Sequence, residues 1–259
     1  MVDNKDAHLA NQALLLWLVF LIFLVIVNGT IPFVLGFDLH EWTYSKVKLL
    51  LFGPVFYVGL FLVAPLILNK GWKKVSEISF LIPLVIAIVG SALWVFFPYG
   101  AVLIVVAIAY LHWRFDLSDL GIRSKGWKGD FLAIVIIGLL MGATSLLSKV
   151  GPLSLSLSTG ISAGLIRLFG NPASTTENMF YFGFLTERLS KRFKTLTPLL
   201  IGFMYTIHEM SNPEYWYAGV SFGFIFVGVT FFAFVYLWRR SVVAIWLGDG
   251  LGRLISNLF

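Results

Sequence analysis

Three ionisable residues interrupt long apolar segments in the second half of the chain: Glu177, His208 and Asp249. A charged group is costly inside a bilayer, so such residues usually face the interior of a helix bundle and mark a functional path. Counted from the nearest basic cluster at 1.5 Å per residue, each lies at a depth of roughly 14 to 21 Å. A carboxylate and an imidazole at one depth can activate a water molecule, which is the chemistry of hydrolysis.

Each of these groups has polar neighbours beside it or one helical turn away: Asn212 after His208, Arg253 after Asp249, and Asn178 and Tyr181 after Glu177. An amide such as that of Asn212 can donate a hydrogen bond to a developing oxyanion. The alternative is that these groups only satisfy one another as polar contacts between helices. Glu209 points about 100° away from His208 and fits solvation among lipid headgroups. Glu187, Asp119 and Asp130 adjoin basic residues and are interpreted as surface charges.

The composition predicts which elements hold these residues. Of the 259 residues, 59% are hydrophobic and 12% are charged, about half the charged fraction of a soluble domain. Six runs contain no Lys, Arg, Asp or Glu: 13–27, 49–68, 81–97, 101–111, 131–147 and 220–237. Several reach the roughly 20 residues that cross a hydrocarbon core. We therefore expect an all-α, polytopic transmembrane bundle of eight to nine helices, whose surroundings are the lipid bilayer.

The net charge of +6 is distributed as expected for a membrane protein rather than for a nucleic-acid-binding one. Basic residues cluster at the ends of apolar runs, at 70–74, 123–128, 188–194 and 239–240, as is typical of cytoplasmic loops. This places the N-terminus in the cytoplasm. The chain does not begin with the short apolar core and cleavage site of a signal peptide, so we expect the first apolar run to be a retained helix. There is no cysteine, which excludes disulfides.

The alternation of apolar runs and basic clusters predicts the order of the helices: 12–35, 47–68, 77–97, 101–113, 131–149, 174–189, 197–211, 217–237 and a final segment 241–257. Residues 114–130 form a polar inner segment. Residues 151–171 are ambiguous, because Leu and Ser alternate with period two from 153 to 158, which suggests a strand-like or interfacial piece. No second domain is visible.

Four stretches of the second half resemble the type II CAAX prenyl protease family, which includes bacterial bacteriocin-processing and self-immunity proteins. They are Phe-Asp-Leu-Ser-Asp-Leu-Gly-Ile-Arg at 115–123, Thr-Glu-Asn-Met-Phe-Tyr-Phe-Gly-Phe-Leu at 176–185, Met-Tyr-Thr-Ile-His at 204–208, and the approach to Asp249 from 236. The resemblance divides one membrane domain into N-terminal helices (1–114) and a protease-like core (115–259). It implies a prokaryotic plasma-membrane endopeptidase acting on membrane-tethered peptides or proteins, with Glu177 as general base, His208 as its partner and Asn212 in support.

The resemblance has five departures: Asn178 replaces a second Glu, Phe182 an Arg, Met204 an aromatic residue, Asp249 a His, and Arg253 an Asn. Arg253 can serve as an oxyanion donor in place of the lost groups, or it can neutralise Asp249 at i+4. The second hypothesis is therefore a catalytically inactive relative that acts as a membrane scaffold, a binding protein or an immunity-type protein.

Other classes fit the residues less well. An aspartyl intramembrane protease needs two facing aspartates, and only Asp249 is central. A rhomboid-like serine protease has only Gly90-Ser91 as a weak candidate. Zinc would suit Glu177, His208 and Asp249 as ligands, but His208-Glu209 lacks the second His of an H-E-x-x-H motif, so we expect neither metal nor cofactor. A transporter remains open because membrane carboxylates also serve ion pathways, although no inverted halves are visible.

Overall fold

The computed structural model describes residues 4–35, 53–94, 100–147, 172–211 and 221–258. Within these ranges the chain forms helices and no strand, which confirms the all-α expectation. In chain order the helices are α1 (Asn4–Leu35), α2 (Gly53–Val63 continued as Ala64–Lys70), α3 (Ile78–Trp94), α4 (Gly100–Phe115), α5 (Trp127–Leu147), α6 (Pro172–Asn178, Met179–Leu185 and Thr186–Phe193), α7 (Thr197–Met210), α8 (Phe222–Arg239) and α9 (Val242–Leu258). The ambiguous residues 151–171 lie outside the described ranges.

Within the described ranges, three helical stretches are long and apolar enough to cross a membrane, judged by length and composition: Asn4–Ile26, Trp127–Leu146 and Phe222–Arg239. Shorter apolar helices accompany them at Val58–Lys70, Ile78–Leu93 and Val102–Phe115. The outward faces of the long and the shorter helices are apolar as well. Ile22 on α1, Val85 on α3 and Leu139 on α5 are 52%, 55% and 58% exposed. Large apolar patches of this kind mark interaction or membrane surfaces in proteins.

Helix α1 begins at Asn4, well before the apolar run that starts at position 13. The polar first turns of α1 are held by basic residues in the last turns of α6. Lys191 Nζ lies 3.3 Å from Asp6 Oδ1, and Arg188 donates to Gln12 Oε1 at 3.5 Å. The sequence prediction placed the start of this helix too late because hydropathy carries no information about such partners.

Helices α5 and α9 pack against each other through facing glycines. Each helix carries two glycines four residues apart: Gly138 and Gly142 on α5, and Gly248 and Gly252 on α9. A Cβ added at Gly252 would lie 2.4 Å from Met141 Cβ, so only glycine permits this approach. Ser145 Oγ and Ser256 Oγ are also 2.8 Å apart across the two helices. Small residues of this spacing are a common means of close packing between membrane helices, and here they fix the position of α9.

Ion pairs gather at the ends of several helices. Lys70 pairs with Asp119, Lys191 with Asp6, and Arg239 with Asp130, at N–O distances of 3.0 to 3.3 Å. The last two pairs connect the last turns of α6 and α8 with the first turns of α1 and α5, and the first connects the end of α2 with the segment before α5. These ends of the helices therefore lie at one end of the bundle. We call it the basic end.

Glu187 is the centre of the largest polar cluster at the basic end. Its Oε1 accepts from the Tyr236 hydroxyl at 2.7 Å and from Arg240 Nη1 at 3.0 Å, and Arg123 Nη2 contacts the same oxygen. Burial raises the pKa of Glu187, but the Tyr236 and Arg240 hydrogen bonds and the nearby guanidinium charges outweigh it and hold the pKa below its usual range. This carboxylate therefore ties α6, α8 and the 116–126 segment together as an anion.

The interpretation of the three inner acidic residues as surface charges is wrong for two of them. The side chains of Glu187 and Asp130 are only 22% and 13% exposed, because each is covered by the guanidinium group that pairs with it. Asp119, at 53% exposure, does lie at the surface.

Candidate functional site

Glu177 and His208 meet in the interior of the bundle, on helices α6 and α7. Glu177 Oε1 lies 3.7 Å from His208 Nε2, and the two side chains are 10% and 7% exposed. This separation is longer than a hydrogen bond. A water molecule beside the pair can nevertheless contact both groups, because two hydrogen bonds of about 2.8 Å each reach across such a gap. The two residues with the strongest sequence signal therefore form one contact.

Tyr205 is a third member of the site that sequence reasoning missed. Its hydroxyl donates to Glu177 Oε2 at 3.3 Å, while the other oxygen faces His208. Tyr205 precedes His208 by three residues on α7 and so lies on the same helix face. That spacing was the available signal, but tyrosine is common in apolar helices and does not attract notice as an ionisable residue does.

Aromatic rings surround the His208 imidazole. Tyr181 of α6 stacks on it with centroids 5.6 Å apart and an interplanar angle of 8°. Phe20 of α1 meets it edge-on at 5.1 Å, and Phe61 of α2 and Tyr205 lie 5.8 and 5.6 Å away. Tyr181, predicted as a polar supporting residue, thus contacts the site through its ring face. Phe20 and Phe61 come from the N-terminal helices, so the site draws on both halves of the chain.

The Tyr181 hydroxyl and the Trp17 indole N–H are polar groups in this apolar surrounding. Tyr181 is fully buried, and neither group makes a hydrogen bond of normal geometry with another described residue. The two lie near each other, on the α1 side of the site. The Trp17 N–H can only donate and the Tyr181 hydroxyl oxygen can accept, so the two groups are complementary neighbours.

Asp249 pairs with Arg253 on its own helix. Arg253 Nε donates to Asp249 Oδ2 at 3.0 Å, and the two side chains are 42% and 10% exposed. Of the two uses considered for Arg253, the structure therefore has the i+4 ion pair. Both residues lie close enough to Glu177 to act on it electrostatically, because the glycine-mediated packing of α5 and α9 holds this part of α9 near the site.

Glu209 also acts on Glu177. It is half-buried, and among charged side chains it has the largest electrostatic effect on the Glu177 carboxylate, a repulsive one. Although adjacent residues on a helix diverge by about 100°, the Glu209 carboxylate remains within electrostatic reach of Glu177. Its solvation among lipid headgroups stays a prediction.

The backbone around Glu177 is irregular. Helix α6 changes from α-helical to π-helical geometry at Met179, and the wider turns continue to Leu185. Such segments are rare and are frequent at functional sites. Asn178, the last residue before this change, is 5% exposed. Asn212, the expected oxyanion donor, lies outside the described residues.

The described residues contain no group of three or more His, Cys, Asp or Glu side chains that could hold a metal ion.

Comparison of the chain with family models, with curated proteins and with solved structures gives no significant match.

Proposed function

We propose that this protein is an integral membrane protein of a prokaryotic plasma membrane, with its N-terminus and its basic end in the cytoplasm. The apolar outer faces of the helices support this proposal, because lipid would cover them. Four exposed tryptophans that each adjoin a basic residue support it too: Trp72, Trp113, Trp127 and Trp238. Tryptophan beside Lys or Arg is typical of the boundary between lipid and water, and positive loops usually face the cytoplasm.

We propose further that Glu177 and His208 activate water in an intramembrane endopeptidase. The observation that carries this proposal is the 3.7 Å approach of Glu177 Oε1 to His208 Nε2 between two largely buried side chains. The sequence resemblance to CAAX prenyl proteases supports it independently. The substrate class is a peptide or protein tethered to the membrane, by a prenyl group or by another anchor.

The reaction divides into two proton transfers. Glu177 takes a proton from the water while the water oxygen attacks the carbonyl carbon of the scissile peptide bond. The carbonyl oxygen becomes an oxyanion. Collapse of this intermediate breaks the carbon–nitrogen bond, and the leaving nitrogen receives the proton that Glu177 holds. His208 orients the water and stabilises negative charge from the opposite side. One water is consumed, and a carboxylate and an amine are released.

The test uses purified protein reconstituted in liposomes with a panel of farnesylated and acylated peptides. Mass spectrometry detects the products, and reaction in ¹⁸O-labelled water labels the new carboxylate. We expect Glu177→Gln to lower the rate by about 10²- to 10⁴-fold, the usual contribution of a general base. Glu77→Gln is the matched control, because it makes the same change at an exposed carboxylate outside the site. Undiminished cleavage by Glu177→Gln would rule out the mechanism.

The second candidate is a catalytically inactive relative that serves as a membrane scaffold, a binding protein or an immunity-type protein. The 3.0 Å pair between Arg253 and Asp249 favours it, because a guanidinium held by a carboxylate is a weaker donor to an oxyanion. A double variant, Glu177→Ala with His208→Ala, separates the two candidates. An inactive relative would keep its cellular phenotype in this variant, whereas an endopeptidase would lose it.

A further inference from the structure

A groove of about 330 Å³ opens at the basic end, where α6 ends, α7 begins and α8 ends. Its lining consists of three apolar residues, two hydroxyl-bearing residues and two cations: Pro198, Phe234, Leu237, Ser190, Thr195, Lys194 and Arg240. Phe234 is 52% exposed and Lys194 is exposed, so the groove is accessible from outside the bundle. Its volume is at the lower end of the range for ligand sites. It combines an apolar surface with cations and hydroxyls.

The groove carries excess positive charge. Arg240 shares the Glu187 carboxylate with Arg123, so two guanidinium groups have one counter-ion. Lys194 forms no ion pair among the described residues. Lys194 and the cluster of Arg123, Arg240 and Glu187 together carry a charge of +2. Two of the three cations, Lys194 and Arg240, line the apolar groove, which favours an anionic ligand with an apolar part.

Both cations of the groove have unusual backbone conformations. Lys194 has φ 48° and ψ −116°, and Arg240 has φ 57° and ψ 31°. Only one other described non-glycine residue, Asp116, has a positive φ. Glycine is the usual residue at such helix ends. A cation interacts favourably with a helix C-terminus from anywhere in the last turn, so helix stability alone does not require a cation at these positions.

We infer that this groove binds the phosphate-bearing headgroup of an anionic phospholipid. The phosphate oxygens accept hydrogen bonds from Lys194 and from the Thr195 hydroxyl, while the first part of an acyl chain lies along Phe234 and Leu237. Basic pockets between helices on the cytoplasmic side of a membrane recognise lipids in this way. The inference rests on the membrane location proposed above and is independent of the hydrolytic activity.

The test titrates the purified full-length protein, in neutral detergent, with soluble short-chain lipids. Dihexanoyl phosphatidylglycerol is compared with dihexanoyl phosphatidylcholine and with inorganic phosphate, and the thermal unfolding midpoint is the readout, because a ligand of the folded state raises it. We expect a saturable rise with phosphatidylglycerol alone. An equal response to phosphatidylcholine would overturn the anionic assignment. An equal response to inorganic phosphate would overturn the lipid assignment.

Variants at Lys194 locate the site. Lys194→Gln keeps the side-chain length and removes the charge, and we expect the apparent affinity for phosphatidylglycerol to fall about tenfold or more, as for loss of one charged hydrogen-bond donor. Lys73→Gln, at an exposed lysine of the same basic end, is the matched control and should stay within about twofold of the wild type. Equal loss in both variants, or no loss in Lys194→Gln, would refute the site.

Lys194→Gly tests the site through two effects of opposite sign, a gain of stability without lipid and a loss of the response to lipid. Glycine adopts a positive φ without strain, so this variant should unfold at a higher temperature than the wild type when no lipid is present. It should also lose the response to phosphatidylglycerol. A variant that gains stability and still responds to the lipid like the wild type would contradict the proposal even if Lys194→Gln failed to fold.

Discussion

The contact between α5 and α9 gives the sharpest test of the packing. Substituting Gly252→Ala adds one methyl group at the closest point of the two helices. That carbon would lie 2.4 Å from Met141 Cβ and 3.3 Å from the backbone atoms Gly138 O and Gly142 N. A distance below 3.0 Å between carbons is not tolerated, and Cβ and backbone atoms cannot move without moving the helix. The two helices must therefore separate or shift.

The size of the effect follows from two opposing contributions. Replacing glycine by alanine inside a helix gains up to about 1 kcal/mol from backbone propensity. Forcing an extra carbon into a packed interface typically costs about 1–3 kcal/mol. Gly228→Ala on α8 isolates the first contribution, because a Cβ there has no atom within 4 Å. Both variants share the propensity gain, so the free energy of unfolding should be about 1–3 kcal/mol lower for Gly252→Ala than for Gly228→Ala.

Reversible unfolding in mixed micelles, followed by tryptophan fluorescence as the fraction of denaturing detergent increases, measures these free energies. We expect Gly228→Ala to be at least as stable as the wild type and Gly252→Ala to be less stable. Adding Met141→Gly to Gly252→Ala removes the atom at 2.4 Å and should restore part of the loss. If Gly252→Ala unfolds like Gly228→Ala, the close approach of α5 and α9 is refuted.

Two further predictions concern polar contacts. Tyr205→Phe removes the hydroxyl that donates to Glu177 and should lower the free energy of unfolding by about 1–3 kcal/mol, because a buried carboxylate loses a donor; unchanged stability in the same micelle assay would contradict the contact. The pKa of Glu187 is held below its usual range, so its stabilising contribution is complete above the ordinary glutamate pKa of about 4.3 and is lost as the pH falls through the lower folded-state pKa. Glu187→Gln should therefore flatten the acid limb of the stability profile, and parallel profiles for variant and wild type would refute this assignment.

The helical segments were predictable from the sequence because each long apolar run ends where charged residues begin. The prediction of a helix at 197–211 agrees with α7, Thr197–Met210. The approach of Glu177 to His208 was also foreseeable, since two costly polar groups in apolar helices lower their free energy by meeting. Here the physical cost of burial identifies the residues without knowledge of the fold.

Other features depend on pairings that one sequence does not encode. The glycines at 138, 142, 248 and 252 have meaning only when α5 is known to face α9, and they carried no signal alone. The same is true of Phe20 and Phe61, which lie far from His208 in sequence. The π-helical turns from Met179 to Leu185 change the register of α6, which a fixed period of 3.6 residues does not predict.

The stacked ring of Tyr181 and its three aromatic companions have a consequence for motion at His208. An imidazole between such rings cannot turn over unless they first move apart, and those rings belong to four helices. A flip of the imidazole, which exchanges the positions of Nδ1 and Nε2, then requires collective motion of the helices. Such motions take microseconds to milliseconds, whereas a free side chain rotates in picoseconds to nanoseconds. On the faster timescale of side-chain rotation, Nε2 stays the nitrogen presented to Glu177.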